Sequence, residues 1–163
     1  MDSFAVHTDL LQFVTFKLEG QKYAVDILKV QEINNMKDIT PIPNSPPYVE
    51  GAINLRGKVI PVLNLRRKFN LEEKPLDEFI KIVIMDVRGV VMGVIVDSVS
   101  DVLRVSSDLV EPPPPVSSDT TARFIKGVAK LPEGLVILLD MDKLLDPQEH
   151  QAMFGNAAER SQP

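Results

Sequence analysis

Hydrophobic positions along the chain come in short runs broken by glycine, proline and polar residues, a rhythm of strands and tight turns rather than of long helices. The clearest unit is 51–65, GAINLRGKVIPVLNL, where apolar runs at 52–55 and 59–65 flank Arg56-Gly57. An X-Gly pair between β-prone runs predicts a tight hairpin. Glycine takes a positive φ at no steric cost, so Gly57 supplies the turn and Arg56 stands at its tip. Ile60 and Val62 are apolar on one parity and Val59, Leu63 and Leu65 on the other, as in strands covered on both faces. Arg56 is therefore expected to border packed surface.

The runs 80–87 and 90–97 repeat this design around Arg88-Gly89. Ahead of both, 11–18 reads as a first strand, turned at Glu19-Gly20 into a second over 21–25, and Asp26 caps a short helical turn through Ile27, Leu28 and Val30. From Gln31 the pattern fits helix and strand equally. Pro41, Pro43, Pro46 and Pro47 forbid helix through 38–47 and predict an extended surface loop. Residues 66–70 read as a basic, partly helical connection, 102–105 and 109–110 as further strand, and 111–116 as polyproline. The last hairpin is expected over 124–131 and 135–140, with a helical turn at 141–145. Asp146-Pro147-Gln148-Glu149 then has the N-cap, first-turn proline and acidic third position of a C-terminal helix. About ten short strands with little helix predict a mostly β chain built as small β-barrels.

Composition narrows the class. At 163 residues with 44% hydrophobic and 25% charged side chains, the chain has the make-up of one compact domain, expected over 10–150 with flexible termini at 1–9 and 151–163. The lack of cysteine removes disulfides and thiolate chemistry and fits a reducing compartment, with cytoplasm as the default. A net charge of −5 and 6% aromatic residues disfavour nucleic acid, which needs a positive field and stacking platforms. The opening MDSFAVHTDLL lacks the basic start of a signal peptide, and no apolar run is long enough to span a membrane. His7 and His150 lie toward the ends, poorly placed as general bases or metal ligands. Nucleotide-binding and nucleophile-elbow motifs are missing, so neither cofactor, metal site nor enzymatic activity is expected. Asp97 and Asp101 read as caps of backbone N–H groups at a turn.

Taken together, four segments resemble the CheW-type chemotaxis coupling proteins: VDILKVQEI at 25–33, ITPIPNSPPYVEGAINLRGKVIPVLNLR at 39–66, GVIVDSVSDVL at 93–103 and LVILLDMDKLL at 135–145. The resemblance runs from about residue 12 to 145. It implies two five-stranded SH3-like β-barrel subdomains packed across a shared apolar seam, with short helical turns. It also implies a noncatalytic adaptor, located at receptor arrays on the inner face of the membrane and attached there only through receptors. Its partners would be the cytoplasmic tip of a chemoreceptor and the regulatory domain of the CheA histidine kinase.

The family motifs V-x-E-I and N-L-R-G, matched at 30–33 and 54–57, place Glu32 and Arg56 in a groove that receives the receptor tip. The arginine fork would present donors to a receptor carbonyl or carboxylate while Glu32 fixes its rotamer. The receptor-binding set is then Val30, Glu32, Gly51, Asn54, Arg56, Gly57, Val91 and Met92. Read from the residues alone, Glu32–Arg56 also fits a plain surface salt bridge, Gly51 and Gly57 fit ordinary turn positions, and Ile27, Leu28, Val30, Ile33, Val91 and Met92 fit core more readily than contact. The kinase-binding candidates are Ile27, Leu28 and Val30, too many apolar side chains for one short turn to bury on a single face. Arg66, Arg67 and Lys68 read as a solvated cationic face, and 112–115 as a stiff linker. Two other classes stay open. One is a module of a larger signalling enzyme, disfavoured because the chain ends near 163 with no room for a phosphoacceptor or ATP-binding domain. The other is a nucleic-acid-binding barrel.

Overall fold

The computed structural model describes residues 10–113, 123–145 and 147–150. The chain runs β1 (Leu10–Leu18), β2 (Gln21–Asp26), a 3₁₀ turn (Ile27–Lys29), β3 (Val30–Asn35), β4 (Val49–Leu55), β5 (Lys58–Asn64) and α1 (Leu65–Lys68). It continues through β6 (Lys81–Val87), β7 (Val90–Val96), β8 (Ser98–Ser106), a 3₁₀ turn (Ser107–Leu109), β9 (Val110–Glu111), β10 (Ile125–Leu131) and β11 (Gly134–Leu139). A third 3₁₀ turn (Met141–Lys143) and α2 (Pro147–His150) close the described chain.

Two mixed sheets result, a six-stranded one in the order β8-β1-β2-β11-β10-β9 and a five-stranded one in the order β3-β6-β7-β5-β4. Neighbours are antiparallel except β2 with β11 and β5 with β7. The mostly β character is as the sequence implies, but the sheets are unequal and open: among the described residues no ladder joins β8 to β9 or β3 to β4. Proline explains both edges. β9 ends after two residues at Pro112 and Pro113, which have no N–H to donate. Beside β4 the proline-rich loop manages only the isolated bridge Thr40↔Ala52. Of the expected C-terminal helix the structure holds the single turn α2; Asp146, the polyproline positions after 113, His7 and both termini lie outside the described residues.

Three hairpins share one turn geometry. Glu19-Gly20, Arg56-Gly57 and Arg88-Gly89 have φ values of 52° and 80°, 51° and 87°, and 52° and 85°. Two successive positive φ values give the type I′ twist that matches right-handed strands. The ambiguity at Gln31 resolves as strand, because β3 pairs along β6 from Val30↔Met85 to Asn35↔Lys81.

Packing is layered. The central cluster draws Val14, Phe16, Leu18 and Val25 from the six-stranded sheet and Leu63, Val83, Met85, Met92, Val94 and Val96 from the five-stranded one. Ile53, Leu55, Ile60, Val62, Ile82, Ile84 and Ile95 form a second cluster on the far face of the five-stranded sheet, and Phe13, Ala24, Val105, Val136 and Leu138 a third on the far face of the other. Strands buried on both faces explain the near-continuous apolar runs. Along β7, Met92, Val94 and Val96 face the central cluster while Val91 and Ile95 face the second.

Candidate partner-binding surfaces

Glu32 on β3 and Arg56 at the β4–β5 turn stand at the two opposite edges of the five-stranded sheet, and their side chains meet. Arg56 Nη1 donates to Glu32 Oε1 at 3.2 Å, and Nη2 donates to Oε2 in a short, charged contact. Hydrogen bonding to Arg56 holds the Glu32 carboxyl below its ordinary value, and the same bond raises that of Arg56. The turn beneath is fixed by Asn54 Oδ1, which accepts the Gly57 N–H at 2.8 Å. Arg56 nevertheless remains 70% exposed, with only part of its five-donor fork turned toward Glu32.

The sequence missed one apolar neighbour. Val59 is 75% exposed, although its run 59–65 reads as uniformly buried. The parallel ladder from β7 covers β5 only from Val62 to Asn64, so the hairpin end carrying Asn54, Arg56 and Val59 projects past the sheet. Periodicity along the run carries no sign of this; only the pairing does. Ile33, next to Glu32 on β3, is also exposed.

Other members of the expected receptor set lie elsewhere. Met92 is fully buried in the central cluster, a correction to its reading as a contact, because the alternation of β7 turns it inward. Gly51 is buried as well, with φ 151°, and a Cβ there would stand 2.2 Å from the Thr40 carbonyl oxygen. Its glycine permits the close approach of the proline-rich loop rather than that of a partner. Val30 and Val91 are half-buried, packed on the central and second clusters respectively. Gly57 has open space around it.

The 3₁₀ turn Ile27–Lys29 forms as expected, with Asp26 Oδ1 accepting the Leu28 N–H at 2.9 Å. Its three candidates divide: Ile27 and Val30 are half-buried on the central cluster, while Leu28 is 88% exposed. Leu28 rims an open groove of about 380 Å³ whose floor, Leu11, Phe13 and Leu138, belongs to the six-stranded sheet.

The basic run on α1 is not a solvated face. Arg66 donates from Nε and Nη2 to Asp97 at 2.7 and 2.6 Å and pairs with Glu19 at 2.7 Å, its side chain only 12% exposed. Arg67 pairs with Glu73 at 2.7 Å and Glu50 at 3.3 Å. Lys68 is half-buried, with its Nζ 2.7 Å from Glu149 and 4.2 Å above the Tyr48 ring. Glutamates distant in sequence collect around this single helical turn, a pattern invisible in the run itself. Asp97 does accept a backbone N–H, that of Glu19 at 2.9 Å, but its main partner is Arg66. Asp101 instead sits in β8, where its N–H and carbonyl bond the Thr15 hydroxyl.

Among the described residues no group of acidic and histidine side chains is placed to hold a metal, and no helix is long and apolar enough to cross a membrane. A family model described as CheW-like domain matches residues 12–149. Chemotaxis protein CheW of Treponema pallidum is 39% identical over 153 residues, covering 91% of this chain and 90% of that protein. The same-named protein of Klebsiella aerogenes is 35% identical over 147 residues, covering 90% and 88%. The crystal structure of the scaffolding protein TtCheW from Thermoanaerobacter tengcongensis matches with a TM-score of 0.78 at 34% identity, covering 86% of this chain and 96% of that one. A family match over most of the length, relatives of the same name and a matching fold lead to one conclusion: the chain belongs to the CheW-like domain family, as a noncatalytic chemotaxis adaptor.

Proposed function

We propose that this adaptor couples the cytoplasmic tips of transmembrane chemoreceptors to the regulatory domain of a CheA-type histidine kinase, within receptor arrays at the inner face of the membrane. One observation carries the reading: two exposed features stand on different sheets, the Arg56 tip with Glu32 on the five-stranded sheet and the Leu28 turn over a groove floored by the six-stranded one. An adaptor needs two surfaces that can be filled together. Arg56 offers directed donors with an apolar Val59 beside it, a combination suited to a helical hairpin tip that ends in carbonyls or a carboxylate. Leu28 is an apolar anchor for an apolar partner surface.

The finer architecture belongs to the same proposal. Residues 10–150 act as one CheW-like unit because the central cluster draws on both sheets, and each sheet has the curl of an SH3-like barrel whose edge strands no ladder joins among the described residues. For the five-stranded sheet, the Glu32–Arg56 pair supports this by bridging the gap between its two edges with side chains where no ladder does.

Calorimetry against each partner separately tests the division. Glu32→Lys sets a like charge beside Arg56 and is expected to weaken binding of a receptor cytoplasmic fragment while leaving the kinase regulatory domain bound as before. Equal losses to both partners would mean that the surfaces are not distinct.

A further inference from the structure

The 3₁₀ turn Ile27–Lys29 has three residues and no buried side chain, too little to hold its own shape. Two carboxylates hold it. Asp26 caps it locally through the Leu28 N–H. Asp142, 113 residues further along, grips it from outside: Lys29 Nζ donates to its Oδ2 and Oδ1 at 2.8 and 3.0 Å. The same Oδ1 accepts the Arg88 N–H at 2.9 Å, and the Asp142 carbonyl accepts from Arg88 Nε at 2.6 Å. Asp142 is itself anchored, since its N–H donates to Asp140 Oδ1 at 3.1 Å within a turn whose Met141 is buried. Burial works against its charge, but the hydrogen bonds from Lys29 and Arg88 outweigh that and keep its carboxyl below the ordinary value. One side chain therefore ties the Leu28 turn to the segment after β11 and to the tip of the β6–β7 hairpin, joining parts of both sheets.

We infer that Asp142 is a positioning residue for partner docking at Leu28: through Lys29 and Arg88 it fixes the turn in the shape the kinase regulatory domain meets. This rests on the proposed role of Leu28, and the experiment separates the two. Binding of the full chain to the isolated regulatory domain of CheA is measured by calorimetry for Leu28→Asp, Asp142→Asn and Lys29→Met, and for Asp142→Asn in a Leu28→Ala background. Leu28→Asp is expected to abolish binding. Asp142→Asn and Lys29→Met should each weaken it about tenfold, as loosening of an anchor does, while receptor-fragment binding stays unchanged. With Leu28 already truncated, Asp142→Asn should cost about twofold or less, because it acts through that side chain. Lys29→Met, which keeps the stem and removes only the charge, decides the matter if Asp142→Asn fails to fold. Loss of binding in Leu28→Asp with parent-like binding in both other variants would overturn the positioning role alone. An undiminished Asp142→Asn effect in the Leu28→Ala background would overturn it too, and parent-like binding of Leu28→Asp would overturn the docking site together with it.

Discussion

Arg56 and Arg88 occupy equivalent places, each at a φ near +50° before a glycine whose N–H is accepted at 2.8 Å by Asn54 or Asp86. What differs is the neighbour. Arg88 is clasped by Asp142, whereas among the described residues Arg56 meets only the side chain of Glu32 and stands open to solvent. Arg56→Ala should therefore leave the unfolding midpoint unchanged, since alanine at this φ carries the same left-handed cost and no cavity opens. It should nevertheless abolish receptor-dependent activation of the kinase. A collapse in thermal stability would make Arg56 structural. Gly51 carries the opposite expectation: Gly51→Ala drives a Cβ into the Thr40 carbonyl and should destabilise by about 2–3 kcal/mol in urea unfolding. At a temperature where that variant is folded, receptor binding should be retained. For Gly51 and Met92 the residues allowed a turn or core reading beside the contact one, and only the loop or strand lying across each decides its burial.

At the scale of elements, the hairpins were legible because a turn and its two strands are a local code, and Arg-Gly between β-branched runs suffices. The same holds for the Asp26-capped turn. α1 was misread because most of its charges are neutralised from far along the chain, with Asp97, Glu19, Glu50 and Glu149 all reaching it. The Arg66–Asp97 pair stands between the β1–β2 turn and the β7–β8 junction, so it braces the two sheets. Burial alone would raise the Asp97 carboxyl, yet hydrogen bonds from Arg66 and the Glu19 N–H hold it below its ordinary value. A carboxyl lowered in the folded state stabilises above its unfolded value, near pH 4, and that stabilisation is lost as pH falls through the folded value. Asp97→Asn should accordingly flatten the acid limb of a stability–pH curve below about pH 4. Arg66→Ala should cost about 2–3 kcal/mol at neutral pH, somewhat less than for a fully enclosed pair because Arg66 and Asp97 line an open groove. Chemical denaturation of both variants checks these values, and no stability loss in Arg66→Ala would remove the brace.

For the molecule as a whole, apolar runs without clean alternation announced strands covered on both faces, and the three-layered core shows why. Pairing partners were beyond reach. β1 lies against β8, and β2 meets β11 in parallel, contacts that span most of the chain and leave no local mark. Exposure followed from that hidden topology: Val59 is bare because the β5–β7 ladder begins only at Val62, and Leu28 because its groove is assembled from distant strands. If one chain presents two separable surfaces, reconstitution of the signalling complex must tell them apart. A receptor cytoplasmic fragment and a CheA-type kinase are mixed with this protein and kinase autophosphorylation is followed. The parent should raise the rate well above that of receptor and kinase alone. Arg56→Ala should fail to do so while still binding the kinase, and Leu28→Asp should fail while still binding the receptor fragment. If the parent gives no activation, or if either variant loses both partners at once with its fold intact, the account of a two-surface coupler is contradicted.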